Sequence, residues 1–286
     1  GGCIMGEVLR FAWHNIRRLL TSPRLYLSLF VVYACFRLCF GNVYLYLEEN
    51  GETLQAVELL VFASSNRSPQ WMLAFGMLLL LGDAPFLHEG MSVYLIRSSR
   101  FRWLMGQILF CLITVVGYLL AVEVMLLSMS GSNVSFLNNW SDPIMLASRI
   151  TSGASLLHIE MAIDFPISII SSGKPYTMFA LTILYDTLLL MMFSLLCLVC
   201  NAKWKTGVGC LGVVALLVVR FLIDNRKILT SLRMLSPCNL ATISSQVVSP
   251  LSIGYTTVFF LCTCGLLGLW GYHTIRFVDL QRGESL

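Results

Sequence analysis

The chain has 286 residues, of which 57% are hydrophobic and 12% are charged, whereas roughly a quarter of the residues in a soluble domain are charged. So few charges cannot cover a water-facing surface, which excludes a soluble globular fold. The formal net charge of +4 comes from short basic clusters beside apolar runs. This pattern is typical of membrane topology signals and not of a nucleic-acid-binding face.

The N-terminal residues 1–24 are predicted to form a cytoplasmic helix in the membrane interface. Arg10, Arg17 and Arg18 alternate there with apolar residues that include Trp13. This is the composition of an amphipathic helix that lies in the plane of the interface. Pro23 separates the helix from the first apolar run, because a proline ends or kinks a helix.

Six apolar runs follow, and each is about 18 to 25 residues long, enough to cross roughly 30 Å of hydrocarbon. The expected fold class is therefore all-α: a polytopic membrane protein in which six transmembrane helices follow an amphipathic interfacial elbow helix. Residues 25–286 form a single six-helix transmembrane domain in this interpretation. The spans cover about residues 25–47, 70–87, 103–129, 176–200, 207–223 and 253–275.

Three polar stretches, residues 48–69, 130–174 and 224–252, are predicted to lie outside the cell. The first contains a short apolar element at 56–63, and the second is a large extracellular loop with a short helix near 144–159. The segment 87–102 and the turn 201–206 are predicted to be cytoplasmic. Eleven Lys and Arg residues then lie inside and six outside, which predicts a multi-pass protein of the cell membrane with both termini in the cytoplasm.

Motifs for catalysis are absent from the sequence. It contains no Gly-x-x-x-x-Gly-Lys-Ser/Thr loop, no His-Glu-x-x-His zinc site and no Gly-x-Ser-x-Gly nucleophile elbow, so no enzyme activity and no cofactor or metal of its own are expected. His158 and Glu160 lie close together without a third ligand, which favours a solvated loop over a metal site.

The ten cysteines lie mostly inside apolar runs, where cysteine usually acts as a small packing residue. Cys197 and Cys200 have the spacing of a redox or metal pair. No second pair and no histidine cluster accompany them in that run, so packing is the favoured interpretation.

Glycines recur at the start of the fifth span, at Gly207, Gly209 and Gly212, and in the sixth, at Gly265, Gly268 and Gly271. Small residues let helix backbones approach closely in lipid. The pattern predicts packing surfaces on both spans.

Three charged residues, Arg37, Asp186 and Arg220, fall inside predicted spans, at about 15 to 20 Å from one membrane face for a rise of 1.5 Å per residue. A charge at that depth costs a few kcal/mol unless it is paired or hydrated. We predict that Asp186 pairs with Arg37 or with Arg220 across helices. The pair is either a structural clamp or a contact for an anionic or zwitterionic substrate on its pathway.

The most informative motif follows the second span. It reads Asp83-Ala84-Pro85-Phe86, then Ile96-Arg97-Ser98-Ser99-Arg100, and then Trp103-Leu104-Met105-Gly106-Gln107-Ile108-Leu109. In this stretch the chain resembles the type-2 ABC transporter permeases, and in particular a group of six-span Firmicutes permeases. The motif covers about residues 83–109, and the topology covers nearly the whole chain. The long loop at 130–174 departs from the family, in which many relatives have a short one.

The resemblance implies that residues 87–102 form a coupling helix that docks on a separate ATPase subunit. The docking residues would be His88, Glu89, Met91, Tyr94, Leu95, Arg97, Arg100 and Arg102. The partner ATPase would bind ATP and Mg²⁺, and a second permease copy or a homologous permease would complete a dimer in the lipid membrane. No nucleic-acid partner is expected.

The function implied by the resemblance is an ABC transporter permease subunit, expected to be an exporter. The substrate class stays open between peptide, lipid, drug and saccharide. The alternative is a non-transporting membrane assembly or sensory subunit or, less favoured because no nucleophile and base occur together in the spans, an intramembrane enzyme.

Overall fold

A computed structural model describes residues 2–85, 99–131, 133–149, 164–225, 232–248 and 253–277. These residues form an all-α chain, as predicted, with one pair of two-residue strands. The first half contains α1 (Gly2–Thr21), α2 (Pro23–Asn50), β1 (Leu54–Gln55), α3 (Glu58–Ser65), α4 (Arg67–Leu81), α5 (Arg100–Ser130) and β2 (Val134–Ser135). The second half contains α6 (Asp142–Arg149), α7 (Ile167–Ser172), α8 (Pro175–Lys203), α9 (Val208–Asn225), α10 (Pro237–Ala241), α11 (Ile243–Val248) and α12 (Ile253–Phe277).

Five of these helices, α2, α5, α8, α9 and α12, are long and apolar enough to cross a membrane. A helix also lies over the remaining predicted span, at 70–87, but this helix, α4, has 15 residues and ends at Leu81. Its early end has a local cause, because Gly82, Asp83 and a residue that precedes Pro85 all disfavour helix. By length and composition, five described helices can therefore cross a membrane, whereas the sequence predicted six spans.

The short elements predicted between the spans are also helical. The apolar stretch at 56–63 corresponds to α3, which is almost entirely buried. The helix predicted near 144–159 begins at Asp142 as α6, and residues 150–163 lie outside the described part of the chain.

Helix α8 is the centre of the bundle. It is apolar on every side, which is typical of a helix surrounded by protein, and 72% of its 18-residue apolar window is buried, against 11% for α12. It contacts α3, α4, α5, α9, α10 and α12. The other long helices therefore present one side to α8 or its neighbours and leave the opposite side to the surroundings.

The N-terminal helix α1 packs along the start of α5. Gly106 of α5 brings the backbones together, since a Cβ at that position would lie 2.7 Å from the Cβ of Phe11. Ala12 and Asn15 are buried, while Leu9, Trp13 and Leu20 are more than half exposed. The helix ends before Pro23, as predicted, and Ser22 caps α2 by accepting a hydrogen bond from the backbone N–H of Arg24.

The three segments predicted to lie outside meet at one end of the bundle. Strands β1 and β2 pair in parallel, with Leu54 opposite Val134 and Gln55 opposite Ser135. Helix α11 contacts α3 and α7, and α6 contacts α7. We call this assembly, made of residues 51–66, 131, 133–149, 164–174 and 232–248, the cap.

The segments predicted to be cytoplasmic meet at the opposite end of the bundle, which we call the base. The base consists of α1, residues 82–85, residues 99–102, the turn 201–207 and the last turn of α12. Lys203 places its ammonium 5.1 Å from the ring of Trp204 and 5.4 Å from that of Trp270, so it joins the end of α8 to α12. Tryptophan and lysine of this kind are common where a bundle meets the membrane surface.

Candidate functional site

The first candidate site is a frame at the base, formed by the described residues on either side of 86–98 and by the residues that contact them. Asn201, near the end of α8, uses its side-chain amide to bind the backbone that follows α4. Its Nδ2 donates to the carbonyl oxygens of Gly82 at 2.6 Å and Ala84 at 2.8 Å. Its Oδ1 accepts from the backbone N–H groups of Gly207 at 3.1 Å and Gly209 at 2.9 Å. One amide therefore ties α4, α8 and α9 together.

Two ion pairs attach the frame to the N-terminal helices. Arg24 of α2 contacts Asp83 at 2.5 Å, and Arg102 of α5 contacts Glu7 of α1 at 2.8 Å. These pairs are half exposed or about a third exposed, so solvent screens them and each is worth at most about 1 kcal/mol. Their significance is geometric, because they fix both flanks of the segment on the same end of the bundle.

Of the predicted docking residues, the structure describes Arg100 and Arg102. Arg100 donates from Nη1 to the carbonyl oxygen of Ile275 in α12 at 3.2 Å, so it joins the frame. The other predicted docking residues, His88, Glu89, Met91, Tyr94, Leu95 and Arg97, lie outside the described residues.

The second candidate site surrounds Asp186, in the middle of α8. Its side chain is 1% exposed, and its Oδ2 accepts a hydrogen bond from the hydroxyl of Ser64 in α3. No ion pair within 4.0 Å joins Asp186 to Arg220 in the described part of the chain. The other oxygen, Oδ1, is buried and has no hydrogen-bond partner among the described residues.

Arg220 of α9 is also buried, and its nearest acid is on its own helix. Its Nε lies 3.5 Å from Oδ2 of Asp224, and Asp224 in turn lies 3.9 Å from Arg233. The Nη1 atom of Arg220 is buried without a hydrogen-bond partner among the described residues. Buried polar groups are nearly always hydrogen-bonded. Oδ1 of Asp186 and Nε and Nη1 of Arg220 have no hydrogen bond among the described residues, so they are open to water or a ligand.

Arg37 differs from these two residues in being exposed. It is on the exposed side of α2, with its guanidinium carbon 5.7 Å from the centre of the Tyr44 ring. The three predicted charges are therefore divided between a buried region that holds Asp186 and Arg220 and an exposed surface that holds Arg37.

Glu58 is a buried carboxylate that the sequence did not identify, and it holds the cap together. It is fully buried and accepts three hydrogen bonds: from the backbone N–H of Gln55 at 3.0 Å, and from the N–H and the hydroxyl of Ser141 at 2.6 and 2.7 Å. Burial raises the pKa of Glu58 above its usual range, while the hydrogen bonds from Ser141 and Gln55 lower it. The carboxylate fastens the loop after β2 to the start of α3.

Asn66 makes a second link between the cap loops. Its side chain donates to the carbonyl oxygen of Asp164 and accepts from the N–H of Asp164, at 2.8 and 2.9 Å. One sequence signal could have found these linking residues: a polar side chain that lies within a short apolar run or at the end of a long one. It is shared by Asn201, Glu58, Ser64 and Asn66.

Among the described residues, no group of three or more His, Cys, Asp or Glu side chains is arranged to hold a metal ion. A surface groove of about 280 Å³ with two acidic side chains lies between the end of α2 and the cap. It is lined by Tyr46, Glu52, Asp142, Pro143, Met145 and Leu146.

Comparison with protein-family models, with curated proteins and with solved structures gives no match for this chain. Functional inference therefore rests on the frame at the base, the buried charges and the sequence motif between α4 and α5.

Proposed function

We propose that the chain is the transmembrane permease subunit of an ABC transporter, an exporter driven by a separate ATPase subunit that docks at residues 87–102. The observation that carries the proposal is the frame at the base. The motif that resembles type-2 permeases begins at Asp83 and ends at Leu109. Its two flanks are held against four different helices by Asn201, Arg24, Arg100 and Arg102. A force applied to the segment between those flanks would reach the bundle through these contacts.

The proposed topology has six crossings, with α4 as the second. Helix α4 supports this arrangement because it links both ends of the bundle. Gln70, near its start, donates to the carbonyl oxygen of Cys238 in the cap at 3.3 Å, and Gly82, just after its end, accepts from Asn201 at the base. With the base on the cytoplasmic side, both termini are cytoplasmic and the cap is extracellular, and α1 is the interfacial elbow helix.

The partner ATPase binds ATP and Mg²⁺ in this proposal, and the permease supplies the pathway. Asp186 and Arg220 are residues of that pathway, since each keeps a buried polar atom without a hydrogen-bond partner among the described residues. An anionic or zwitterionic group would complete both. The permease itself carries out no covalent chemistry.

The proposed active unit contains two permeases. Arg37 supports a protein or water contact on the exposed face of α2, because a charged side chain at mid-membrane depth is costly when it faces lipid alone. Only 28% of the apolar window of α2 is buried within one chain, so a second permease has room to pack there.

The test is co-purification with ATPase subunits encoded beside the gene, followed by ATPase assays in lipid. Tyr94→Ala and Arg97→Ala should weaken binding of the ATPase by about tenfold, equivalent to about 1.4 kcal/mol, and lower its stimulation without affecting membrane insertion. Lys174→Ala, at the cap end, is the matched control and should have no effect. Full binding and full stimulation in both docking variants would contradict the proposal.

A further inference from the structure

Two cysteines from different helices lie close together at the base, beside the frame. Cys197 is near the end of α8, and Cys210 is in α9, one residue after the glycine that touches the backbone of Cys197. Cys197 is 1% exposed, whereas Cys210 is only partly buried. One thiol of the pair is thus open to a reagent and the other is shielded behind it.

The helix backbones around the two thiols are in direct contact. A Cβ added to Gly209 would overlap the Cα of Cys197 and lie 2.9 Å from its carbonyl oxygen, so α9 begins against the backbone of α8. Asn201 secures this arrangement by accepting from the N–H of Gly209. A disulfide requires Cα atoms about 4.4 to 6.8 Å apart, and backbones that touch one residue before Cys210 bring the Cα atoms of Cys197 and Cys210 near that range.

We propose that Cys197 and Cys210 form a redox-sensitive dithiol, a modification site at which oxidation joins α8 to α9 by a disulfide bond. The oxidant is a low-molecular-weight disulfide. The thiolate of the accessible Cys210 attacks one sulfur of that disulfide, a mixed disulfide forms, and one thiolate leaves. The thiolate of Cys197 then attacks the sulfur of Cys210 and expels the second thiolate. The protein loses two protons and two electrons, and the reagent is reduced to two thiols.

The cysteine pair lies next to the residue that precedes the docking segment, so a disulfide there would change the contacts of that residue. The thiol of Cys210 donates to the carbonyl oxygen of Gly82 at 3.4 Å, and Gly82 follows α4 where the docking segment departs. Oxidation removes that hydrogen bond and locks the α8–α9 turn at the same time. The further expectation that oxidation lowers ATPase coupling rests on the function proposed above, while the disulfide itself does not.

The Cys197–Cys200 spacing in the sequence suggests a different pair. Both of those residues lie on α8 and both are buried, so neither gives a reagent the access that Cys210 gives. In the cytoplasm, where glutathione keeps thiols reduced, a pair of this kind is a transient, sensing disulfide and not a structural one.

The experiment treats the purified full-length protein in detergent with oxidised glutathione, blocks the remaining thiols with N-ethylmaleimide, and maps linked peptides by mass spectrometry. We expect the loss of two of the ten thiols, a linkage between Cys197 and Cys210, and recovery of both thiols with dithiothreitol. Cys200→Ser is the matched control and should form the same linkage.

The single variants give a second, independent outcome. In Cys197→Ser the reaction should stop at the first step, so that Cys210 carries one glutathione. In Cys210→Ser the linkage should be lost and Cys197 should remain unmodified. The proposal is overturned if exposed Cys262 becomes glutathionylated while Cys197 and Cys210 stay reduced, or if Cys197 links to Cys200 or Cys111. The result does not depend on any ATPase, so it stands or falls separately from the permease proposal.

Discussion

Asp186 is held in the centre of the bundle by one hydroxyl, that of Ser64 in α3. We expect Ser64→Ala to lower the free energy of unfolding by about 1 to 3 kcal/mol, because it leaves a buried carboxylate oxygen without its donor. The matched control is Ser65→Ala. The hydroxyl of Ser65 bonds within its own helix, to the carbonyl of Val61 at 2.8 Å, so that variant should change stability by less than about 0.5 kcal/mol. Thermal unfolding in detergent measures both, and equal effects would contradict this role for Ser64.

Glu58 allows a similar test of the cap. Glu58→Ala removes the acceptor of three hydrogen bonds and leaves buried donors unpaired, which should destabilise the cap by about 3 kcal/mol. Limited proteolysis between residues 131 and 149 is expected to accelerate. Glu49→Ala changes an exposed glutamate at the end of α2 and should leave the proteolysis rate unchanged. A rate for Glu58→Ala that matches this control would rule out a fastening role.

The stability of the cap should also depend on pH through Glu58. Burial raises the pKa of Glu58 in the folded protein, so the folded state binds this proton more tightly than the unfolded chain. The stability that this proton contributes to the folded protein is fully present below the unfolded pKa of about 4.3. It is lost as the pH rises through the raised pKa of the folded state. Proteolytic protection of the cap should therefore fall with rising pH in the wild type and change less in Glu58→Gln. Identical pH profiles would contradict the assignment.

The sequence could locate charges at the residue scale but not their partners. Asp186 and Arg220 are found within apolar helices because charges are rare there. Their contacts depend on Ser64, 122 residues from Asp186, and on Asp224, one turn along α9 from Arg220. Hydropathy does not predict which partner Asp186 or Arg220 contacts. It does not predict the hydrogen-bond partners of Asn201 and Glu58 either.

At the scale of elements, the contact between α8 and α9 offers a clean test of helix packing. Gly209→Ala would place a Cβ onto the backbone of Cys197, which cannot move aside as a side chain does. We expect a loss of about 2 kcal/mol or more in stability. Gly265→Ala in α12 meets no atom within 4 Å and should be neutral or slightly stabilising, because alanine is the better helix former.

The melting temperatures of the two glycine variants in detergent decide this prediction. A drop confined to Gly209→Ala supports the crossing as described. Equal drops would mean that helix propensity and not packing governs both positions.

The glycine pattern shows how far element-scale prediction reaches. Glycines in both the fifth and sixth spans predicted packing surfaces. Gly209 and Gly271 do meet neighbouring helices, at Cys197 and Val199, but Gly265 and Gly268 face no atom within 4 Å. Composition marks a face as able to pack, and only the fold decides whether a helix of the same chain covers it. The bounds of the long helices were predictable to within a few residues because caps, prolines and apolar length set them.

For the whole molecule, the exposed face of α2 tests the proposed dimer. A photo-crosslinking amino acid in place of Leu38, which is 83% exposed and next to Arg37, should join two permease chains in membranes. The same group in place of Leu211 on α9, 70% exposed, is the control and should crosslink only to lipid. Chain-to-chain products from Leu211 alone would place the second permease on another face.

The central claim is that the base, with the segment between α4 and α5, faces the cytoplasm. In a cysteine-free background, Arg97→Cys and Lys174→Cys place one thiol on each predicted side, and a membrane-impermeant maleimide reports which is accessible in intact cells. We expect Lys174→Cys to be labelled in intact cells and Arg97→Cys only after permeabilisation. Labelling of Arg97→Cys from the exterior, with Lys174→Cys protected, would contradict it.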